Sequence, residues 1–307
     1  MSAILSEYVY LILEMSLIMI ENIKLRFVTT FIGLPILGLM VWLGGYFFSV
    51  TIAIISVWGT IEICLLCSKK GFDLIKSVAV CMAIGIVLIT HSIVGLFPDS
   101  IVLGQRSLLL TTWHWIFIVI VTCYSVWQTR QIKSAIGWRN SILTLFAGLC
   151  PAIFLSFMIL IRIMDQGFQF IIFMFTIIWV ADTLAYIVGS LWGKHKLMLK
   201  IPFTQIMMSP NKTWEGLIAG ISSALAVAIV IHFLDLISLK FQEVIFLTLI
   251  LVIFGFIGDL LESSFKRLFG VKDSGTLLPG HGGILDKVDS FVLNAIIMYY
   301  YLIWIVL

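Results

Sequence analysis

The run Gly258-Asp259-Leu260-Leu261-Glu262-Ser263-Ser264-Phe265-Lys266-Arg267, continued by Lys272-Asp273 and by His281-Gly282-Gly283-Ile284-Leu285-Asp286-Lys287-Val288-Asp289, sets five carboxylates and four Lys or Arg side chains in 32 residues of a chain that is 61% hydrophobic. Ionisable groups beside lipid are costly to place and mark functional sites. The stretch therefore points to membrane helices whose polar ends act on a charged, membrane-bound substrate.

Helical spacing sorts these charges. If the helix before Ser263 runs on past the bilayer edge, Asp259, Glu262, Ser263 and Lys266 share one face, with Arg267 on its shoulder. Carboxylates can hold Mg2+, and Lys or Arg can meet phosphate oxygens. Asp286 and Asp289 are again three apart, at the start of the next apolar run, where the helix dipole favours anions. Two acid pairs on neighbouring helices of a hairpin can converge on one cation. Between them, Pro279-Gly280-His281-Gly282-Gly283 is no helix, because Pro279 lacks an N–H and the glycines permit turns. Its backbone N–H groups can face a phosphate. A plainer reading makes Lys266, Arg267 and Lys272 interfacial anchors and Asp273, Asp286 and Asp289 a solvated loop; the density of the whole pattern argues against it.

A second polar block lies upstream, in Asp182-Thr183-Leu184-Ala185-Tyr186, Gly193-Lys194-His195-Lys196 and Ser209-Pro210-Asn211-Lys212-Thr213-Trp214-Glu215-Gly216. Asp182 falls six residues inside the end of an apolar run, about 9 Å at helical rise. At that depth it is either a polar latch to another helix or part of a site. Asp259 sits at a similar depth, which favours a shared pocket. Ser209-Pro210 reads as a turn before a helix with Trp214 at the interface. Lys212 and Thr213 are candidates for phosphate contact, or an anchor and a cap.

Apolar runs at 28–45, 47–67, 77–97, 111–127, 140–161, 169–188, 216–236, 244–262 and 289–307 each approach the ~20 residues that span a bilayer. With a mean hydropathy of +1.15, these predict an all-α polytopic helical membrane protein of about nine transmembrane helices. Residues 8–20, interrupted by Glu14, can span, lie at the interface or be buried in the bundle. Alternating the nine spans puts 16 of the 19 Lys and Arg on one side and only Arg106, Arg162 and Lys240 on the other. By the positive-inside rule the richer side is cytoplasmic. The net charge of +3 is dispersed among loops, which argues against nucleic-acid binding. Cys64, Cys67, Cys81, Cys123 and Cys150 sit in or beside apolar runs and read as ordinary buried cysteines. No removable signal peptide is expected. By motif content the chain divides into an N-terminal membrane scaffold and lipid-accessible region, 1–168, and a C-terminal catalytic membrane region, 169–307.

In Ser263, Phe265, Lys266, Arg267, Lys272, Asp273, His281, Gly282, Gly283, Asp286, Lys287 and Asp289, and in the block Ser209 to Gly216, the chain resembles the integral-membrane phosphatidate cytidylyltransferases, or CDP-diglyceride synthetases. It departs from the family pattern at Lys287, where arginine is usual, and at Leu184, where glycine is common. The first keeps charge but loses the planar fork; the second can reshape the pocket beside Asp182.

The resemblance implies that CTP and phosphatidate, or a related lipid phosphate, give the CDP-lipid and diphosphate. A lipid phosphate oxygen attacks the CTP α-phosphorus, so no side-chain nucleophile is needed. Two highly anionic substrates must be held together, which calls for a cation and basic side chains. Asp259, Lys266, Arg267 and Asp289 are the expected catalytic residues. Lys212, Thr213, Ser263, Lys272, Asp273, His281, Gly282, Gly283 and Lys287 are expected to bind substrate. Mg2+ is expected on Asp259 and Asp289, with Asp286 and Asp182 as neighbours. The expected location is a bacterial inner membrane, with catalytic loops facing the cytoplasm and membrane lipids around the helices. A homodimer is one arrangement the sequence allows. A CTP-dependent polyprenol kinase, and a transporter using Asp182 and Asp259 as ion ligands, are the alternative readings.

Overall fold

The computed structural model describes residues 31, 33–96, 116, 135–201, 204, 206–275 and 282–306. A backbone in lipid has to satisfy its own polar groups, and long apolar sequences do so as helices. The described helices are α1 (Gly33–Leu43), α2 (Gly45–Lys69), α3 (Lys76–Leu96), α4 (Ala135–Arg162), α5 (Gly167–Trp192), α6 (Trp214–Phe233), α7 (Phe241–Leu268) and α8 (Leu285–Tyr301), the last ending in a π-helical turn over Leu302–Val306. The fold is all-α and polytopic.

Among the described residues, six helices are long and apolar enough to cross a membrane: α2, α4, α5, α6, α7, and α8 with its π turn. They correspond to six of the nine apolar runs. The runs at 28–45 and 77–97 become α1 and α3, while that at 111–127, apart from Ile116, and the stretch 8–20 lie outside the described residues.

Helices α2, α3 and α4 pack together, α5 pairs with α6, α7 pairs with α8, and α4 also packs on α8. One apolar core runs across the residue-168 boundary, joining Phe48, Leu155 and Ile161 to Ile177, Leu247 and Met298. The helix ends sort into two sets. At one end Arg162 donates from Nε to Val41 O at 2.6 Å and from Nη2 to Trp42 O at 2.9 Å, tying the end of α4 to the end of α1. There too the Ser238 N–H donates to Gln166 Oε1 at 3.0 Å, joining the α4–α5 and α6–α7 turns beside Lys240. The opposite end carries Lys69, Lys76, Lys212, Lys266 and Lys287, the Ile75 N–H bonded to Thr144 Oγ1 at 3.1 Å, and the functional residues.

Small residues bring the site helices unusually close. A Cβ on Gly216 would lie 2.6 Å from Ala185 O and one on Gly220 2.9 Å from Ala181 O, so α6 lies directly on α5. A Cβ on Gly258 would lie 2.5 Å from Asp289 O, so α7 lies against the start of α8. Close backbone approach through small residues is how membrane helices gain packing where lipid offers no hydrophobic drive.

Candidate active site

Helix α7 continues past the apolar run to Leu268, and the one-face expectation for its charges is met. Ser263 Oγ donates to Asp259 Oδ1 at 3.2 Å, and Lys266 Nζ lies 2.6 Å from Glu262 Oε2. Lys266 also reaches α8, with Nζ 2.6 Å from Asp286 Oδ1.

Helix α5 likewise runs beyond its expected end, to Trp192, which places Asp182 about 15 Å from the helix terminus. Thr213 caps α6: its Oγ1 accepts from the Gly216 N–H at 3.2 Å. The chain between α5 and α6 doubles back through Leu197 N–H to Lys212 O at 2.8 Å and Trp214 N–H to His195 O at 2.9 Å. This turn delivers Lys212 to the helix bundle. Its Nζ lies 2.6 Å from Asp259 Oδ2 and 4.1 Å from the centroid of the Phe256 ring.

These elements enclose a cavity of ≈ 710 Å³ that Asp182, Lys212, Asp259, Lys266, Asp286 and Asp289 all line. The expected joining of Asp182 and Asp259 in one pocket is what the cavity shows. Ser290 links two of the acids, donating from its N–H to Asp289 Oδ1 at 2.7 Å and from Oγ to Asp182 Oδ2 at 3.4 Å.

Asp259, Glu262 and Asp289 each offer one carboxylate oxygen, all within 4.8 Å of one another. Glu262 Oε1 is buried and accepts no hydrogen bond. Five acids at or beneath the cavity, counting Asp182 and Asp286, face three lysines there, Lys196, Lys212 and Lys266. The donor set, all carboxylate oxygen and short of positive charge, suits a hard divalent cation. Glu262 was not among the ligands expected from sequence. Asp286 was, but it stands outside this triad: it holds Lys266 and accepts from the N–H groups of Ser274 at 3.0 Å and Gly283 at 2.8 Å.

Other expected site residues stand further off. Arg267 turns toward the chain just after it, its Nη1 donating to Val271 O at 3.2 Å. Lys272, Asp273 and Lys287 are exposed, and neither they nor Ser263 and Leu184 line the cavity. The Gly283 N–H, a phosphate donor in the sequence reading, is taken by Asp286. Gly282 holds a left-handed φ of 87°, and His281 lies outside the described residues.

The scaffold half contributes a residue that sequence reasoning missed. Glu62 of α2 is buried; its Oε1 accepts from Ile284 N–H at 2.8 Å and its Oε2 from Leu285 N–H at 2.9 Å and Ser274 Oγ at 2.8 Å. The available signal was an acid inside the apolar run 47–67, the same signal that singled out Asp182.

A protein-family model described as the cytidylyltransferase family matches residues 24–305. The chain belongs to this family. Among similar proteins are phosphatidate cytidylyltransferases of Staphylococcus haemolyticus, 49% identical over 138 residues, of Staphylococcus saprophyticus subsp. saprophyticus, 46% over 138, and of Staphylococcus aureus, 46% over 139. Each match covers 45% of this chain and 50% of the relative, so the chain spans about half the length of the relatives it matches. This cytidylyltransferase-family chain is an integral membrane protein, on the strength of the six long apolar helices among its described residues.

Proposed function

We propose that the chain transfers the cytidylyl group of CTP to phosphatidate, yielding CDP-diacylglycerol and diphosphate. The observation that carries this reading is the cavity between α5, α6, α7 and α8, lined by Lys212, Asp259 and Asp289, with a Glu262 carboxylate oxygen within 4.8 Å of those of the two aspartates, in a chain of the cytidylyltransferase family. A cavity at the polar ends of membrane helices is reachable by a nucleotide from water and by a phosphate headgroup from the bilayer. The excess of basic residues at this end supports a cytoplasmic orientation.

In the reaction a phosphatidate oxygen bonds to the CTP α-phosphorus while the bond to the bridging oxygen of diphosphate breaks. Asp259, Glu262 and Asp289 are the residues that would hold Mg2+, with Asp182 and Asp286 shaping the field around them. When bound, the ion supplies neutralisation of the phosphates and of charge building on the leaving group. Lys212 provides positive charge facing the cavity. Lys266, held between Glu262 and Asp286, orders the acids of α7 against those of α8. Ser290 fixes Asp182 and Asp289 relative to one another. Pre-set charge of this kind lowers the barrier because no reorganisation is needed during the reaction.

The test uses purified protein in detergent with Mg2+, phosphatidate and CTP labelled at the α-phosphate. Label is expected in a chloroform-soluble lipid, with diphosphate released in equal amount. With a polyprenol supplied in place of phosphatidate, release of CDP with the phosphorylated alcohol would replace this reading by a kinase. Efficient use of another lipid phosphate with rejection of phosphatidate would keep the chemistry and change the acceptor.

A further inference from the structure

We propose that Glu62 is a positioning residue for the cavity, acting from the other half of the chain: its carboxylate closes the start of α8 and so sets where Asp286 and Asp289 stand against α7. Glu62 does not line the cavity, and its contacts reach the cavity acids through the start of α8.

The first N–H groups of a helix have no partner within it. In α8 the N-cap residue is Ile284, whose side chain caps nothing. The vacant role is filled from α2, because Ile284 N–H and Leu285 N–H both donate to Glu62. The preceding amide, of Gly283, donates to Asp286 instead. Two carboxylates therefore terminate α8, one from its own first turn and one from 223 residues earlier in the chain.

The neighbouring chain leaves room for this carboxylate. A Cβ on Gly275 would lie 2.8 Å from Glu62 Oε1, and one on Gly283 would collide with Glu62 Oε2 and Ser274 Oγ. Gly283 does not carry a left-handed φ, so the need for glycine there comes from space and not from backbone conformation. The second glycine of the His-Gly-Gly sequence thus makes way for an internal acid.

A continuous set of contacts leads from Glu62 to the triad. Ser274 Oγ donates to Glu62 and its N–H to Asp286, which holds Lys266, which in turn holds Glu262. Moving Glu62 would shift the turn at Ser274 and the first turn of α8 together. In Glu62→Gln the shape is kept, but one acceptor oxygen becomes an NH2 group facing N–H and O–H donors. That conflict should loosen α8 at its start while leaving α5 and α6 in place.

The inference rests on the cytidylyl-transfer reading for its kinetic arm, and hydrogen exchange provides an arm that does not. Full-length wild type, Glu62→Gln and Ser274→Ala are purified in detergent and compared by hydrogen–deuterium exchange of the 282–290 segment, and by kcat and KM for CTP. Expected for Glu62→Gln is exchange at 284–286 faster by about tenfold or more, with α5 and α6 as protected as in wild type. Its kcat should fall by about tenfold or more, with KM for CTP within about threefold. A merely structural anchor would lower thermal stability yet leave kcat of the folded molecules unchanged. Retained protection at 284–286, or kcat within about twofold of wild type, overturns the proposal. If Glu62→Gln does not fold, Ser274→Ala decides: exchange at 284–286 faster by about threefold supports the role, and unchanged exchange refutes it. A wild type that turns over no CTP counts against cytidylyl transfer alone, and exchange in Glu62→Gln then settles the positioning role.

Discussion

Lys266 Nζ and Asp286 Oδ1 stand 2.6 Å apart across the α7–α8 pair, with both side chains about nine-tenths buried. The same ammonium holds Glu262, so one lysine balances two acids in a place with little water. Removing one partner of such a pair leaves the other charge uncompensated, at a cost of about 3 to 5 kcal/mol. Lys266→Ala is therefore expected to lower thermal stability markedly as well as turnover. A folded Lys266→Ala protein with unchanged melting temperature and lost activity would instead give Lys266 a direct role on substrate phosphate.

The triad separates from its neighbours by cation binding. Asp259→Asn, Glu262→Gln and Asp289→Asn should each weaken Mn2+ binding, followed by electron paramagnetic resonance of the free ion, by about tenfold or more, equivalent to about 1.4 kcal/mol. Asp286→Asn should act mainly on stability, because its oxygens are committed to Lys266, Ser274 and Gly283. Equal Mn2+ affinity across all four variants would remove the triad as the cation site.

Chelation provides a test on the unmodified protein. Excess EDTA should abolish incorporation of label into lipid, and added Mg2+ should restore it. A ligand that binds only the folded state at about 100 times its Kd adds about 2.7 kcal/mol of stability, so the melting temperature should rise with Mg2+. Full turnover after exhaustive chelation would exclude the metal-assisted reading.

Lys212 reaches Asp259 from outside its helix, so its removal costs the cavity charge without cutting into a helix core. Lys212→Met should reduce kcat/KM for CTP by about a hundredfold, near 2.7 kcal/mol of transition-state stabilisation, and change the melting temperature little. Lys212→Arg should recover part of the loss. Activity of Lys212→Met within about twofold of wild type would return the residue to an interfacial anchor.

Gly258 is the point where α7 and α8 meet backbone to backbone. Gly258→Ala drives a methyl group to 2.5 Å from Asp289 O, and overpacking of this kind costs about 1 to 3 kcal/mol. The variant is expected to unfold at lower temperature and to bind Mn2+ more weakly, since Asp259 and Asp289 are pushed apart. Unchanged Mn2+ affinity would show that the triad tolerates a wider gap.

Much of this arrangement is legible in the sequence because its signals are local. The helical run from Asp259 to Lys266, the paired acids Asp286 and Asp289, and the depth of Asp182 follow from periodicity and from the rarity of charge among apolar residues. Which acid meets which base is not local. Glu262 joins Asp259 and Asp289 because α8 crosses α7 at Gly258, and Asp286 turns to Lys266 because its other oxygen is held by the Gly283 and Ser274 amides. Glu62 was hidden for the same reason: its partners are more than 200 residues away. The reading of residues 1–168 as scaffold overlooked an acid that the rule applied to Asp182 would also have picked out.

The separation between Glu62 and Leu285 also orders events during synthesis. At about 5 to 20 residues per second, the 223 residues between them take roughly 10 to 45 s to make. For that interval α2 is in place with a carboxylate whose donors do not yet exist. Glu62 lies seven residues before the end of α2, about 10 Å at helical rise, near enough to the headgroups to draw on water while it waits. Arrival of α8 then exchanges that water for two amides and a hydroxyl, so a helix made later completes the packing of one made much earlier. A nascent chain stopped before Ser274 is expected to be open at α2, and thereby recognisable to membrane quality control as unfinished.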